Sequence, residues 1–248
     1  MKISIITAVY NRADTIADAI RSVQSQTYLD VEHIIIDGAS QDGTLHVIDK
    51  FKNERTRVVS EPDNGIYDAI NKGLRASSGE VIGLMHSDDL FAGIHVLEKV
   101  AKYFQNPEID MVYGDLQYVA RLDISRIIRF WRAGPFYPDE LRRGWMPPHP
   151  TLYVRRGVIE KLGVYDTSFR IAADYEAILR WFGHGSLRSF YVPEVFVKMR
   201  VGGESNRSAA QIIAKSREDY RAIRRHRLGG LSTLLMKNVR KLNQFEHW

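Results

Sequence analysis

The sequence contains no cysteine. Disulfides and thiolate metal ligands are thereby excluded, and any metal has to be held by oxygen or imidazole. No apolar run approaches the length needed to cross a bilayer. Met1 leads straight into a strand pattern, with no basic segment, apolar core or small-residue cleavage site, so the cytoplasm is the expected compartment. The turn after the first apolar run has no Gly-x-Gly-x-x-Gly, and no Gly-Lys-Ser/Thr phosphate loop occurs anywhere, which argues against dinucleotide-dependent dehydrogenases and P-loop enzymes. Net positive charge is lacking over most of the chain. Residues 207 to 248 hold ten Lys and Arg against three acids, leaving 25 basic and 27 acidic residues in the first 206. A body so near neutrality does not read as a nucleic-acid surface, and no nucleic-acid partner is expected.

What is present is a repeating strand and helix rhythm. Lys2 to Tyr10 is a continuous β-branched run of the kind buried on both faces of a parallel sheet. After Asn11-Arg12 a helix follows, with Asp14 or Thr15 as its cap and Ile16, Ala19, Ile20 and Val23 on one face. A second strand over 31–36 ends at Asp37, and the next helix buries Leu45, Ile48 and Phe51. A third strand ends near Ser60. The helix from Ile66 to Ala76 is expected to bury Ile66, Ile70 and Leu74 and to expose Asp68, Asn71, Lys72 and Arg75. Four strands and three helices in 90 residues predict an open, doubly wound, mostly parallel α/β sheet, which binds ligands beyond the carboxyl ends of its strands.

The fourth strand ends in Asp88-Asp89. Two adjacent carboxylates at that edge suit a divalent cation shared with a phosphate, since Mg2+ takes one or two protein carboxylates and leaves its other positions to water and substrate. The same doublet also suits the start of the helix that follows.

Read in order, Ile3 to Asn11, Ile36 to Thr44, Glu61 to Gly73 and Ser87-Asp88-Asp89 resemble the motifs of the family 2 glycosyltransferases of the GT-A fold. The resemblance covers roughly residues 1 to 205. It implies inverting transfer of a sugar from a nucleotide diphosphate, with a UDP-sugar the first expectation, to a saccharide or lipid-linked acceptor in cell-surface polysaccharide or glycolipid synthesis. It places Thr7, Tyr10, Asn11, Asp37, Tyr67, Asn71 and Asp88 at the nucleotide sugar. A divalent metal, Mg2+ or Mn2+, falls to Asp89 and then Asp88. Many relatives carry an acid or Asn where this chain has His86, which either ligates or simply packs. A sugar-phosphate nucleotidyltransferase shares the layout but usually has a Gly-rich basic loop after the first strand, and Asn11-Arg12-Ala13-Asp14 is not one.

Asp174 stands at the start of a helix burying Tyr175, Ile178, Leu179 and Phe182, where an Asp is ordinarily a cap. The resemblance makes it the catalytic base instead. Glu176 and Arg180 read as an exposed i, i+4 pair. Residues 121–150, with Pro135, Pro138, Pro147, Pro148 and Pro150, read as an irregular segment over the site. Trp145 and His149 in it, with Arg207 after Gly202-Gly203, are the acceptor or lid candidates. The chain is expected to divide into a catalytic domain, 1–206, and a basic helical tail, 207–248, that binds an anionic membrane face or forms an oligomer.

Overall fold

The computed structural model describes residues 1–202, 209–241 and 244. Its first half follows the expected rhythm: β1 (Ile3–Val9), α1 (Ile16–Gln24), β2 (Val31–Asp37), α2 (Thr44–Phe51), β3 (Thr56–Ser60), α3 (Ile66–Ala76) and β4 (Val81–Leu84). The second half continues with β5 (Leu90–Phe91), α4 (Val96–Phe104), β6 (Met111–Val119), β7 (Ile127–Trp131), β8 (Tyr153–Arg155), α5 (Arg156–Leu162), α6 (Ala173–Phe182), β9 (Ser189–Arg200), α7 (Ala209–Arg225) and α8 (Leu231–Val239). One nine-stranded sheet runs β3-β2-β1-β4-β8-β6-β9-β5, with β7 added on β6.

The four strands of the first half are mutually parallel. Their carboxyl ends therefore lie along one edge, where Asp37 pairs in register with Ser60. Beyond β4 the sheet becomes mixed: β8 is antiparallel to both β4 and β6, while β6 and β9 are parallel. The sheet buries both faces. Ile3, Ile5 and Ile35 pack with Ile16, Ile20, Val96 and Val100 on one side. Ile6, Ile34 and Ile36 pack with Tyr67, Ile70 and Leu74 on the other. Each such side chain contributes about 1.5–3 kcal/mol by leaving water, which favours β-branched residues at both parities of β1 and β2.

Several local expectations are corrected. Ile66 is 45% exposed, and Tyr67 and Asn71 are buried in its place. The buried arc of α3 centres on Ile70, which brings positions 67 and 71 inward with it. The irregular 121–150 segment contains β7, an edge strand on β6. Residues 189–200 form a single long strand, β9, whose register with β6 shifts around Asp115. The basic tail packs against the body. Ala222 and Ile223 are fully buried in the same cluster as Tyr175 and Trp181, so packing continues across the expected boundary at 206. Glu176, expected at the surface, is 1% exposed beneath α7 and is held by Arg180 and by His226 Nε2 at 2.9 Å. Among the described residues no helix is long and apolar enough to cross a membrane.

A buried histidine sits in the middle of this sheet. His33 Nε2 lies 2.9 Å from Thr7 Oγ1, and Nδ1 has no partner. A proton on Nε2, donated to Thr7, leaves only a lone pair unsatisfied at Nδ1, the cheaper choice. Burial pushes the imidazole down to about 3 from its ordinary 6.5. The unfolded chain thus takes up this proton near pH 6.5 and the folded chain only near 3, so acid favours unfolding between those limits. Relative to His33→Gln, the wild-type protein is expected to lose about 1.4 kcal/mol of stability per pH unit from about pH 6 to 4. Urea unfolding at a series of pH values checks this, and parallel pH dependences for the two proteins would contradict it.

Candidate active site

At the carboxyl edge of the parallel strands, Asp37 is fully buried. Its Oδ2 accepts hydrogen bonds from Ser40 N at 3.0 Å and Ser60 Oγ at 2.7 Å, while Oδ1 has no partner. Beyond β1, Tyr10 leaves its ring 57% exposed. Asn11 adopts a left-handed φ of 50°, which Asn tolerates better than most residues, and this turn ties the first loop to the second. Asn11 N donates to Ser40 Oγ and Asn11 Oδ1 accepts from Gln41 N, both at 2.9 Å. At Gly38 a Cβ would lie 2.4 Å from Asp63 Oδ2, so a larger residue there would displace that carboxylate. Tyr10, Asn11 and Asp37 are therefore assembled at one edge. Thr7 is not among them, since it is fully buried in mid-strand against His33.

Asp88 and Asp89 follow β4 on the same edge but differ in setting. Asp88 is partly exposed and lines a cavity of about 30 Å3 together with Arg12, Thr15, Arg121 and Arg200. Asp89 is 1% exposed; its Oδ1 accepts from Arg200 N at 3.3 Å and its Oδ2 is unpartnered. Burial, and then the neighbouring Asp88, push the Asp89 carboxyl well up. An enclosed carboxylate oxygen with no donor beside a second acid is a setting that a cation would relieve. The donor set fits Mg2+ or Mn2+ held by one or two carboxylates; among the described residues no cluster of three His, Asp or Glu offers a site made by protein alone. Arg200, which the sequence reading missed, fixes the doublet by donating to Asp88 O at 2.9 Å and to Asp18 Oδ2 at 2.7 Å. Its Nε and the Thr15 Oγ1 are both buried without a partner. Thr15 does occupy the N-cap position of α1, but its hydroxyl makes no capping bond.

Facing this edge is the start of α6. Ala172 is the N-cap, and no side chain of α6 caps it, so Asp174 is not serving as a cap. Asp174 Oδ1 accepts a hydrogen bond from Tyr67 Oη at 3.0 Å, and the same hydroxyl lies 2.8 Å from Ile171 O. Burial alone would push the Asp174 carboxyl up. His149, Lys215, Lys237 and the Tyr175 backbone N–H outweigh it and hold the carboxyl below its usual range. Burial drives His149 itself down to about 4, so near neutral pH the standing positive charges are the two lysines.

His149 Nε2 lies 2.9 Å from Tyr165 Oη, and its ring is 6.3 Å from that of His86. His86 is held below the usual imidazole range by burial, partly offset by Asp88 and Asp174. It is thus near enough to both Asp88 and Asp174 to feel their charges. Tyr67 and Asn71, expected at the nucleotide sugar, are buried on the Asp174 side: Asn71 pins Tyr165 through bonds to its carbonyl at 2.8 Å and from its N–H at 3.1 Å. Trp145 is core rather than lid. It is buried, donates Nε1–H to Ala133 O at 2.9 Å and packs on Phe136 and Phe182. Arg207 lies outside the described residues.

The sequence model described as Glycosyl transferase family 2 matches residues 4–153. A PGL/p-HBAD biosynthesis glycosyltransferase of Mycobacterium bovis (strain BCG) is 30% identical over 208 residues, covering 82% of this chain and 78% of its own. An uncharacterized glycosyltransferase of Mycobacterium tuberculosis (strain H37Rv) is 31% identical over 183 residues, 72% of this chain and 68% of its own. Two solved structures share the fold. Mannosyltransferase PcManGT from Pyrobaculum calidifontis, in complex with GDP-Man and Mn2+, has a TM-score of 0.68 at 18% identity over 97% of this chain and 69% of its own. S. aureus TarS 1–349, in complex with UDP-GlcNAc, has a TM-score of 0.68 at 17% identity over 91% of this chain and 65% of its own. The ordered motifs along β1, β2, α3 and β4 and a family match across more than half of the sequence lead to one conclusion: this chain belongs to glycosyl transferase family 2, and it is a transferase.

Proposed function

We propose that this enzyme transfers a sugar, with inversion, from a nucleotide diphosphate donor to an acceptor hydroxyl, with Asp174 as the base. The observation that carries this reading is the Asp174 carboxylate. It is partly open to solvent, held ionised by its surroundings, and shares with Asp88 a charge effect on His86. Displacement at an anomeric carbon needs a proton acceptor on the acceptor's side and charge neutralisation at the leaving diphosphate on the other. Tyr67, by donating to Oδ1, orients the Asp174 carboxylate so that its second oxygen serves the acceptor O–H.

On the donor side, the unpartnered Oδ1 of Asp37 is an acceptor for an imide N–H of a base, with the exposed Tyr10 ring as a stacking surface beside it. Uracil supplies such an N–H, which favours a UDP-sugar. Guanine also has ring N–H donors, and PcManGT binds GDP-Man where TarS binds UDP-GlcNAc. Asp89, with Asp88, would hold a divalent cation, which when bound neutralises the diphosphate leaving group.

The acceptor is proposed to be a saccharide or lipid-linked molecule of cell-surface polysaccharide or glycolipid synthesis. Support comes from α8, which buries Thr233 and Lys237 and exposes Leu231, Leu235, Met236 and Val239 on its other side, near the exposed Arg224 and Arg227. An apolar strip flanked by Arg suits an anionic membrane face. Co-sedimentation with vesicles containing anionic phospholipid, weakened at least severalfold in Leu231→Ser/Leu235→Ser and absent with neutral vesicles, is the expected outcome. Equal recovery with both vesicle types, or none, would remove the membrane from the reading.

A thermal-shift screen of nucleotide diphosphates with Mg2+ or Mn2+ identifies the donor base, because a ligand of the native state raises its stability. Asp174→Asn is expected to keep donor binding nearly intact while lowering turnover by roughly two to four orders of magnitude. Asp89→Asn is expected to weaken metal-dependent affinity for the diphosphate along with turnover. Near-wild-type transfer by Asp174→Asn at saturating donor and acceptor would refute the base assignment.

A further inference from the structure

A phenol has one hydrogen to donate, and Tyr67 has two acceptors for it. Its Oη lies 2.8 Å from Ile171 O and 3.0 Å from Asp174 Oδ1. Burial, and then the Asp174 charge, push the phenol well above its ordinary range, so the hydrogen stays on Tyr67. The heavy atoms around it are fixed. The Tyr67 ring is buried and stacks on Tyr165 with centroids 5.9 Å apart, and Tyr165 is itself pinned by Asn71. The Ile171 carbonyl is held from the other side. The N–H of its own peptide group, Ala172 N, and the one before it, Ile171 N, both donate to Glu218 at 2.9 Å. What remains free is rotation of the O–H about its bond to the ring.

The two acceptors are unequal, and the charge of Asp174 decides which one wins. A carboxylate receives a hydrogen bond roughly twice as strong as a neutral acceptor does, so ionised Asp174 takes the hydrogen. Once Asp174 is protonated on Oδ2, Oδ1 is the carbonyl of a neutral acid, a weaker acceptor than a peptide carbonyl, and Ile171 O takes it instead. We propose that Tyr67 is a two-position switch that positions Asp174: it holds the carboxylate before the reaction and passes its hydrogen bond to Ile171 O once the carboxyl has received the acceptor's proton. This rests on Asp174 being the base. In that step the acceptor O–H breaks, its electron pair forms the bond to the anomeric carbon, the diphosphate departs with the electrons of the old bond, and the proton ends on Asp174 Oδ2. The Tyr67 O–H bond itself is never broken. The second acceptor resolves a conflict, because a donor that orients a carboxylate also lowers its basicity. With Ile171 O in reach, Tyr67 has a partner in both states. His86, Tyr118, His149, Tyr165, Lys215 and Lys237 are the other titratable groups within reach of the Asp174 charge. Among the described residues, Tyr67 is the one whose side chain hydrogen-bonds the carboxylate.

The hydrogen-bond state of Ile171 O can be read at neutral pH without substrate. In the full chain labelled with 13C at isoleucine carbonyls, the Ile171 resonance is assigned by its loss in Ile171→Val. Wild type and Tyr67→Phe are expected to share one position, since in neither does this carbonyl hold the phenol's hydrogen. Asp174→Leu leaves Tyr67 with one acceptor and is expected to move the resonance downfield, as a gained hydrogen bond does. The same change made on top of Tyr67→Phe is expected to produce little movement, which separates the switch from the mere loss of a nearby charge. Asp174→Asn, which keeps the side-chain shape, is expected to give a smaller movement in the same direction and serves if Asp174→Leu fails to fold. A carbonyl that moves equally with and without the Tyr67 hydroxyl, or in neither case, overturns the inference whatever the transfer assay gives. In that assay, Tyr67→Phe at saturating donor and acceptor is expected to lower turnover about tenfold with donor affinity unchanged. Wild-type turnover in Tyr67→Phe overturns the positioning role. A carbonyl that switches while Asp174→Asn transfers at the wild-type rate upholds the switch and removes Asp174 as the base.

Discussion

The start of α6 depends on a carboxylate borrowed from another helix. The backbone N–H groups of Arg170, Ile171 and Ala172 all donate to Glu218 of α7, each at 2.9 Å. Helix starts leave such donors unsatisfied and carry partial positive charge, so one carboxylate both fills the bonds and opposes the dipole. Nothing within α6 does this. A turn later, Glu176 is clamped by His226 and Arg180, and the same Arg180 reaches Val164 O at 2.8 Å. The direction in which Asp174 leaves the backbone is therefore set by α7, and the loop carrying Tyr165 is fixed along with it.

The site divides its carboxylates by environment. Asp89 is pushed up by burial and by the like charge of Asp88, a setting that a bound cation would stabilise. Asp174 is drawn down by His149 and then by the tail lysines Lys215 and Lys237, against its burial, and is held as a carboxylate. Acids whose surroundings drive them in opposite directions within one site are the physical basis for giving them different tasks. The division follows the fold: the parallel strands deliver the doublet, and the helical second half delivers the opposing residue with its countercharges.

The parallel half was legible because its signals are local and repeated. β-branched runs, helical spacing and polar strand ends fixed β1 to β4 and put Asp37 and Asp88-Asp89 on one edge before any coordinates. The burial of Ile66 and Asn71 was misread because helical spacing does not reveal which arc of α3 the later chain will cover. Trp145 stood in a proline-rich segment that reads as a loop, yet its ring closes the core between Phe136 and Phe182. Glu176 looked like an ordinary surface pair until α7 lay over it. Arg200, Glu218 and Lys237 carry no motif at all; a basic residue at a strand end and scattered charges in a basic tail acquire meaning only through contacts some 50 to more than 100 positions away.

Those distant contacts also bear on how the enzyme comes into being during synthesis. A ribosome releases the parallel sheet first, and domains emerging early begin to fold at once, at about 5–20 residues per second. The nascent chain would then hold the parallel edge with Asp37, while the doublet still lacked Arg200, the start of α6 lacked Glu218 and the pocket beside Tyr175 lacked Lys237. The parallel edge thus forms ahead of the rest of the site, and the finished environment of Asp174 exists only after α8 has left the exit tunnel.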